Sequence, residues 1–383
     1  GFWGAWRWWR YDSRMSMESA LLEGLTDAQR RAVTHRSGAQ LVMAGPGSGK
    51  TTVVTRRIAL LLDQGVSPYS VLALTFTNKA AGEMRDRVRR TIGDHAARGL
   101  TIATFHAFAA RQLRLLHEQV GVPQDFTIFD ASDQKSAAKQ AVAESGMDGA
   151  NWPPASVLGA ISRVKQALLS PQEAEAQACD FWSRSMASIY KCYQRILERA
   201  HALDFDDLLR LFAAALRDNP QLRAHLGTRF EYLMVDEYQD TNHAQFVIAS
   251  SIAAAHGNIC VVGDPDQSIY AWRGADITNI LDFESQYVGA TTVSLGQNFR
   301  STAMIVAASA GLIACNESHR ARELHTELGA GELPVLFGAM DEHAEAQEVV
   351  ERFQRLHQED GIPWNEMVVL YRINAISRVL EEM

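Results

Sequence analysis

Short runs of aliphatic and β-branched residues alternate along the chain with stretches in which apolar residues recur every three to four positions. The run Gln40-Leu41-Val42-Met43-Ala44 ends in glycines, and from Lys50 the residues Val53, Val54, Ile58, Leu61 and Leu62 fall on one helical side. The same order follows at 71–74 and 79–90, and further apolar runs stand at 101–103, 232–235 and 259–262. Continuous apolar strands separated by helices predict an α/β fold with a parallel sheet covered on both faces.

The middle, 109–203, has no such strand runs and reads as helices at 137–144, 157–169 and 181–199, a helical insertion between strands of one sheet. The alternation restarts after 281: Thr292-Val293-Ser294, a helix at 303–314, a strand at 334–337, a helix at 345–357 and a strand at 367–370. This predicts a second α/β unit from 282. It stops at Met383 inside a helix, without a capping glycine or closing strand, so the unit is expected to be incomplete. Residues 1–20 read as a disordered tail ahead of the fold. The crowding of Phe2, Trp3, Trp6, Trp8 and Trp9 around Arg7 and Arg10 leaves an interfacial or nucleic-acid anchor as the other reading.

Composition narrows this picture. The 383 residues suffice for two or three domains, and 47% apolar residues support a true core. A net charge of −8 excludes a protein coated in positive charge, so any nucleic-acid groove must be local. Cys179, Cys192, Cys260 and Cys315 lack C-x-x-C spacing, which suits a reducing cytoplasm. The apolar run at 305–314 falls short of the roughly 18 residues of a membrane span, so no membrane is expected.

Candidate chemistry starts where the first strand meets the first helix. Ala44-Gly45-Pro46-Gly47-Ser48-Gly49-Lys50-Thr51-Thr52 has the context of a phosphate-binding loop. Gly45, Gly47 and Gly49 let successive N–H groups, Ser48 included, turn toward one anion, and the helix N-terminus adds its positive end. Lys50 is then placed for the β- and γ-phosphates of ATP, and the Thr51 hydroxyl for Mg²⁺, with Thr52 beside it. Ala44 replaces the usual first glycine. Asp236-Glu237 ends the run at 232–235, and a carboxylate at that tip faces the ligand crevice. Asp236 would hold Mg²⁺ through water and Glu237 would position and deprotonate the attacking water. Without the glycine loop, the same pair would read as a solvated turn.

Two further segments resemble a known family. Val235-Asp236-Glu237-Tyr238-Gln239-Asp240 and Val262-Gly263-Asp264-Pro265-Asp266-Gln267-Ser268-Ile269-Tyr270-Ala271-Trp272-Arg273-Gly274-Ala275 are similar to motifs of superfamily 1A DNA helicases of the UvrD/Rep/PcrA type. Thr75-Phe76-Thr77-Asn78-Lys79-Ala80-Ala81, Thr104-Phe105-His106, Asp204-Phe205-Asp206-Asp207-Leu208-Leu209, Gln297-Asn298-Phe299-Arg300-Ser301-Thr302 and Leu370-Tyr371-Arg372-Ile373-Asn374 match in the family's order, from Leu25 onward. The resemblance implies a P-loop NTPase with a RecA-like first domain at 21–108 and 204–281, the insertion at 109–203, and part of a second RecA-like domain at 282–383. It implies ATP hydrolysis with Mg²⁺ coupled to 3′–5′ movement on single-stranded DNA. It also implies unwinding at single-strand/duplex junctions, in repair or replication.

Residue by residue, the resemblance gives Gln29 to the adenine edge, although Thr26-x-x-Gln29 is also a capping box and both can hold. It makes Gln267 the γ-phosphate sensor, sends Arg300 to the γ-phosphate from the second domain, and stacks Phe299 on adenine. Phe76, Tyr270 and Trp272 stand in loops just after strands, where rings can stack on bases of any sequence. Taken singly, each ring would read as core packing. Lys79, His106 and Arg273 join them as DNA contacts, and Arg372 and Asn374 are expected to do so from the second domain. Gly296 stands where the family has an acidic residue. Family members continue past the pattern seen here, so the chain is expected to bind nucleotide, hydrolyse it poorly and not unwind alone. The rival readings are a P-loop ATPase or kinase for a small molecule, a non-catalytic DNA- or partner-binding protein, and the motor half of a helicase–nuclease.

Overall fold

The computed structural model describes residues 17–316 and 323–383, so the tryptophan-rich stretch falls outside it. The end of the predicted tail is ordered: 17–22 is helical and Leu21 is buried. The chain divides into two compact units, one reaching Ala330 and one from Gly331 to Met383.

The first unit is built on the predicted parallel sheet. Its strands are β1 (Gln40–Ala44), β2 (Val71–Thr75), β3 (Thr101–Thr104), β6 (Tyr232–Val235), β7 (Ile259–Gly263) and β8 (Thr291–Leu295). The strand order is β3-β2-β6-β7-β1-β8, every pair parallel. Side chains alternate between two cores, as a strand buried on both faces requires. Leu41 and Met43 of β1 face Phe108, Phe212 and Phe230, while Val42 and Ala44 face Val53, Val54 and Ile58.

The strand predicted at 292–294 joins the first sheet. β8 does not open a second sheet; it pairs with β1 from Gln40↔Thr291 to Ala44↔Leu295. Without it the edge of β1, which carries the glycine loop, would present unpaired N–H and C=O groups. Phe299 and Arg300 therefore belong to the first unit. The predicted strands at 334–337 and 367–370 are also absent: both are extended chain with no ladder partner among the described residues. The main element of the second unit is the helix Glu342–Gln358, capped by Asp341.

The insertion is helical, as predicted, with its own core of Ile161, Ile189, Tyr190, Tyr193 and Leu197. Sequence reading misses a two-stranded parallel ladder within its bounds, β4 (Thr127–Ile128) with β5 (Ala202–Leu203), too short to leave a pattern. The helix Pro154–Gln166 is clamped onto the start of Phe205–Asp218 by buried charge. Lys165 Nζ donates to Asp204 Oδ2 at 2.7 Å and lies 2.8 Å from Asp207 Oδ2. Tyr193 Oη donates to Asp204 at 3.0 Å and Gln194 Nε2 to Asp207 at 3.3 Å. Burial, reinforced by the charge of Asp207, pushes the Asp204 carboxyl up to about 6 against the pull of Lys165. Burial acts on Asp207 too, but Lys165 and Arg210 outweigh it and hold that carboxyl below its usual range.

Lys165→Met would leave Asp204 buried without a counter-charge and Asp207 with Arg210 alone, an expected cost of about 3–5 kcal/mol. An unpaired buried carboxyl binds its proton more tightly in the folded state, so the variant gains stability as pH falls. Thermal unfolding should show a Tm deficit against the parent that is large near pH 8 and smaller near pH 5. A deficit independent of pH contradicts this account.

Candidate functional site

The helix Lys50–Asp63 leaves β1 with Gly49 as its N-cap at φ +85° and no side chain capping its first turn. Its leading N–H groups, those of Lys50, Thr51 and Thr52, are thus left for a ligand. A Cβ at Gly49 would lie 2.7 Å from Gln29 Nε2; one at Gly47, φ +69°, would lie 2.8 Å from Arg300 Cβ. Both glycines are required by the backbone and by crowding together. Ser48 Oγ donates to the Gly45 carbonyl at 2.7 Å and closes the loop on itself.

Lys50 Nζ donates to Glu237 Oε2 and to Gln267 Oε1, each at 3.2 Å. Gln239 Nε2 donates to the same Glu237 oxygen at 2.9 Å, while Gln239 Oε1 accepts from the Asp264 N–H at 3.0 Å. Gln267 Nε2 donates to Asp264 Oδ2 at 2.5 Å and closes a ring. The strand order explains the ring: β7 lies between β1 and β6, so the loop after β7 reaches both neighbours. Glu237 adopts φ +52°, a left-handed conformation costing a side-chain-bearing residue about 1–2 kcal/mol. Its bonds to Lys50 and Gln239 hold it there. Gln239, fully buried, is a site residue that sequence reading leaves without a role, because one of its two partners is a backbone N–H.

Asp236 is buried beside this ring. Burial first, then the charge of Glu237, pushes its carboxyl up to about 6, opposed by Lys50. Its Oδ1 accepts from the Glu237 N–H at 3.1 Å. Among the described residues no group of three or more His, Cys, Asp or Glu could hold a metal alone. A buried carboxylate and the Thr51 hydroxyl are hard oxygen donors of the kind that suit Mg²⁺ completed by substrate phosphates and water.

Gln29 performs its cap and reaches the loop. Its N–H donates to Thr26 Oγ1 at 3.2 Å, its Oε1 accepts from Thr26 N at 3.1 Å, and its Nε2 donates to the Ser48 carbonyl at 2.9 Å. One N–H and one lone pair of the amide remain for a base edge. Beside it opens a cavity of about 340 Å³ lined by Gln29, Ser48, Gly296, Phe299 and His325. Asn298, unassigned by the sequence, ties this wall to the glycine loop: Nδ2 donates to the Pro46 carbonyl at 2.7 Å, and Oδ1 accepts from the N–H groups of Arg300 and Ser301, both at 2.8 Å. The Phe299 N–H donates to the Gly47 carbonyl at 2.9 Å. The departure at Gly296 gains a reason, since a Cβ there would stand 2.5 Å from the Glu323 carbonyl oxygen.

The chain matches the UvrD/REP helicase N-terminal domain over residues 25–288 and the UvrD-like helicase C-terminal domain over residues 293–383. It belongs to the UvrD/Rep helicase family. Relatives include the ATP-dependent DNA helicases PcrA of Staphylococcus epidermidis and of Staphylococcus aureus, each 44% identical over 365 residues. Those alignments take in 95% of this chain and 50% of each relative, so the chain spans about half the length of the curated relatives it matches.

In this UvrD/Rep-family chain the loop after Gln267 runs into an aromatic face. The Phe76 and Tyr270 rings lie 5.0 Å apart, and the Arg273 guanidinium sits 4.8 Å from the Trp272 ring and 5.7 Å from the Tyr270 ring. Trp272 is 75% exposed, which core packing would not allow. His106 stands edge-on to Phe205 at 5.9 Å, and burial holds its pKa down against the opposing charge of Asp206. Phe205, 47% exposed, is the aromatic that sequence reading overlooks. Its signal was available: a phenylalanine right after a capping Asp204, at a helix start. Lys79 is exposed, 4.0 Å from Glu83. Arg372 and Asn374 stand exposed on the second unit.

Gln239→Met keeps the side-chain length but removes both ring bonds. If the chain hydrolyses ATP as its family implies, it is expected to lower turnover by at least about tenfold, the range of lost positioning hydrogen bonds, with KM for ATP little changed. Steady-state kinetics checks it; an unchanged kcat contradicts it.

Proposed function

We propose that the chain carries the ATP-driven motor of a DNA helicase that translocates on single-stranded DNA. One observation supports this above others. Gln267, hydrogen-bonded to Lys50 at 3.2 Å, and Tyr270, packed on Phe76 at 5.0 Å, belong to one short loop, so a change at the phosphates is felt at the rings. In this reading 21–108 and 204–281 form the nucleotide-binding RecA-like domain, 109–203 its insertion, and 282–383 the first part of the second domain.

ATP would bind with its phosphates in the 45–52 loop and its base between Gln29 and Phe299. Mg²⁺, held by Thr51 and Asp236, would supply charge neutralisation between the phosphates. The incoming phosphates draw Lys50 away from Glu237, since several phosphate charges outcompete one carboxylate. Glu237, freed of its counter-ion and steadied by Gln239, orients and deprotonates the attacking water. Arg300, beside the glycine loop, would meet the equatorial oxygens, where transition-state charge spreads. Gln267 loses its Lys50 bond in the same event and its loop shifts Tyr270, Trp272 and Arg273 against the strand. Phe76, His106 and Lys79, and on the second unit Arg372 and Asn374, complete the DNA contacts. The 3′–5′ direction, action at single-strand/duplex junctions, a role in repair or replication and a cytoplasmic setting complete the proposal and rest on the family alone. Among the described residues no helix is long and apolar enough to cross a membrane.

The test is ATP turnover by this chain with and without a dT oligonucleotide. Stimulation of at least about tenfold is expected, abolished by Glu237→Gln and reduced by Trp272→Ala, since each stacked base contributes about 1–3 kcal/mol. Turnover indifferent to DNA favours an ATPase acting on a small molecule; DNA binding with no turnover favours a non-catalytic binder.

A further inference from the structure

The aromatic loop is braced from a part of the molecule that the motor reading leaves unused. Gly274 ends the turn Ala271–Arg273 in a left-handed conformation, φ +85°. The position where its Cβ would stand is filled: Gln166 Oε1 lies 1.6 Å from that point, and Gln166 Cδ 2.7 Å. Gln166 is the last residue of the insertion helix Pro154–Gln166. Its amide is oriented by its other end, with Nε2 donating to Ser162 Oγ at 2.9 Å and to Asp206 Oδ1 at 3.4 Å. The residue before it is Lys165, locked between Asp204 and Asp207 at 2.7 and 2.8 Å. A flexible side chain on a free helix end would make a poor support; one flanked by a buried ion cluster has little freedom to move.

We propose that Gln166 is a positioning residue for DNA binding: through its contact with Gly274 the helical insertion sets the posture of the loop carrying Tyr270, Trp272 and Arg273. The same clamp starts the helix whose first residue is Phe205, so the insertion fixes aromatic groups from two sides. The glycine is then selected twice, by its φ and by the amide oxygen that fills the place of a Cβ. The inference rests on the reading of those rings as a single-strand platform and extends it, by making residues within 109–203 part of the grip without touching the strand.

Fluorescence titration of the chain with a dT16 oligonucleotide tests it, with mant-ADP titration and Tm as controls. Gln166→Ala should weaken dT16 binding about fivefold and leave mant-ADP affinity within about twofold and Tm nearly unchanged, the pattern of a displaced stacking ring. Gly274→Ala should weaken it further, because the new methyl meets the Gln166 amide. The double variant Gln166→Ala/Gly274→Ala should bind better than Gly274→Ala alone, because the obstruction is gone and only the φ strain remains. Additive losses in the double variant, or a Gln166→Ala titration matching the parent, overturn the brace while leaving DNA binding intact. Failure of the parent to bind dT16 defeats the single-strand reading and this inference with it.

Discussion

Lys50 Nζ donates at 3.2 Å to the carboxylate that follows one strand and to an amide that follows another, and the rest of the site is arranged around that ammonium. It needs a glycine loop that turns the helix start inward, which Gly47 and Gly49 supply with positive φ. It needs Glu237 in a strained backbone state, which is tolerated because the carboxylate is gripped from two directions. It also needs β7 to lie between β1 and β6, because only the middle loop can touch both ends. The lysine pairs directly with the Glu237 carboxylate. On the proposed reading, the charge that would bind phosphates is the same charge that pairs with the proposed base.

A second cluster of buried charge holds the insertion in place. Lys165 sits between two carboxylates with no exposure to solvent. Such clusters add little net stability, because desolvation consumes most of the attraction. Their value is directional: an apolar contact between the two helices would tolerate a slide of a residue, whereas an ammonium flanked by two carboxylates and a phenol does not. The long insertion can thus sit between β3 and β6 without loosening the rings that border it.

Much of this was legible in the chain. The glycine loop and Asp236-Glu237 were readable because each side chain acts from a fixed offset after a strand, and the strands announce themselves by unbroken apolar runs. Gln239, Asn298 and Gln166 were not, because their partners are main-chain atoms or a glycine distant in sequence. The membership of β8 was missed for a related reason: Thr292-Val293-Ser294 has the pattern of a strand, but pattern does not say which edge it will join. Gln29 shows the reverse case, where cap and site readings both described one amide that satisfies Thr26 and reaches Ser48. The runs at 334–337 and 367–370 have strand composition without a neighbouring strand, and composition alone does not make a ladder.

The proposed ring platform has a bearing on damaged templates. If Phe76, Tyr270 and Trp272 stack on bases, they would grip the flat surface of a base and ignore its edges, where methylation or deamination writes its marks. Bases altered in that way would give such a motor ordinary footing. An abasic sugar offers no flat surface at all, so a run of missing bases, and not of altered ones, is the lesion on which a motor holding its track this way would lose its grip.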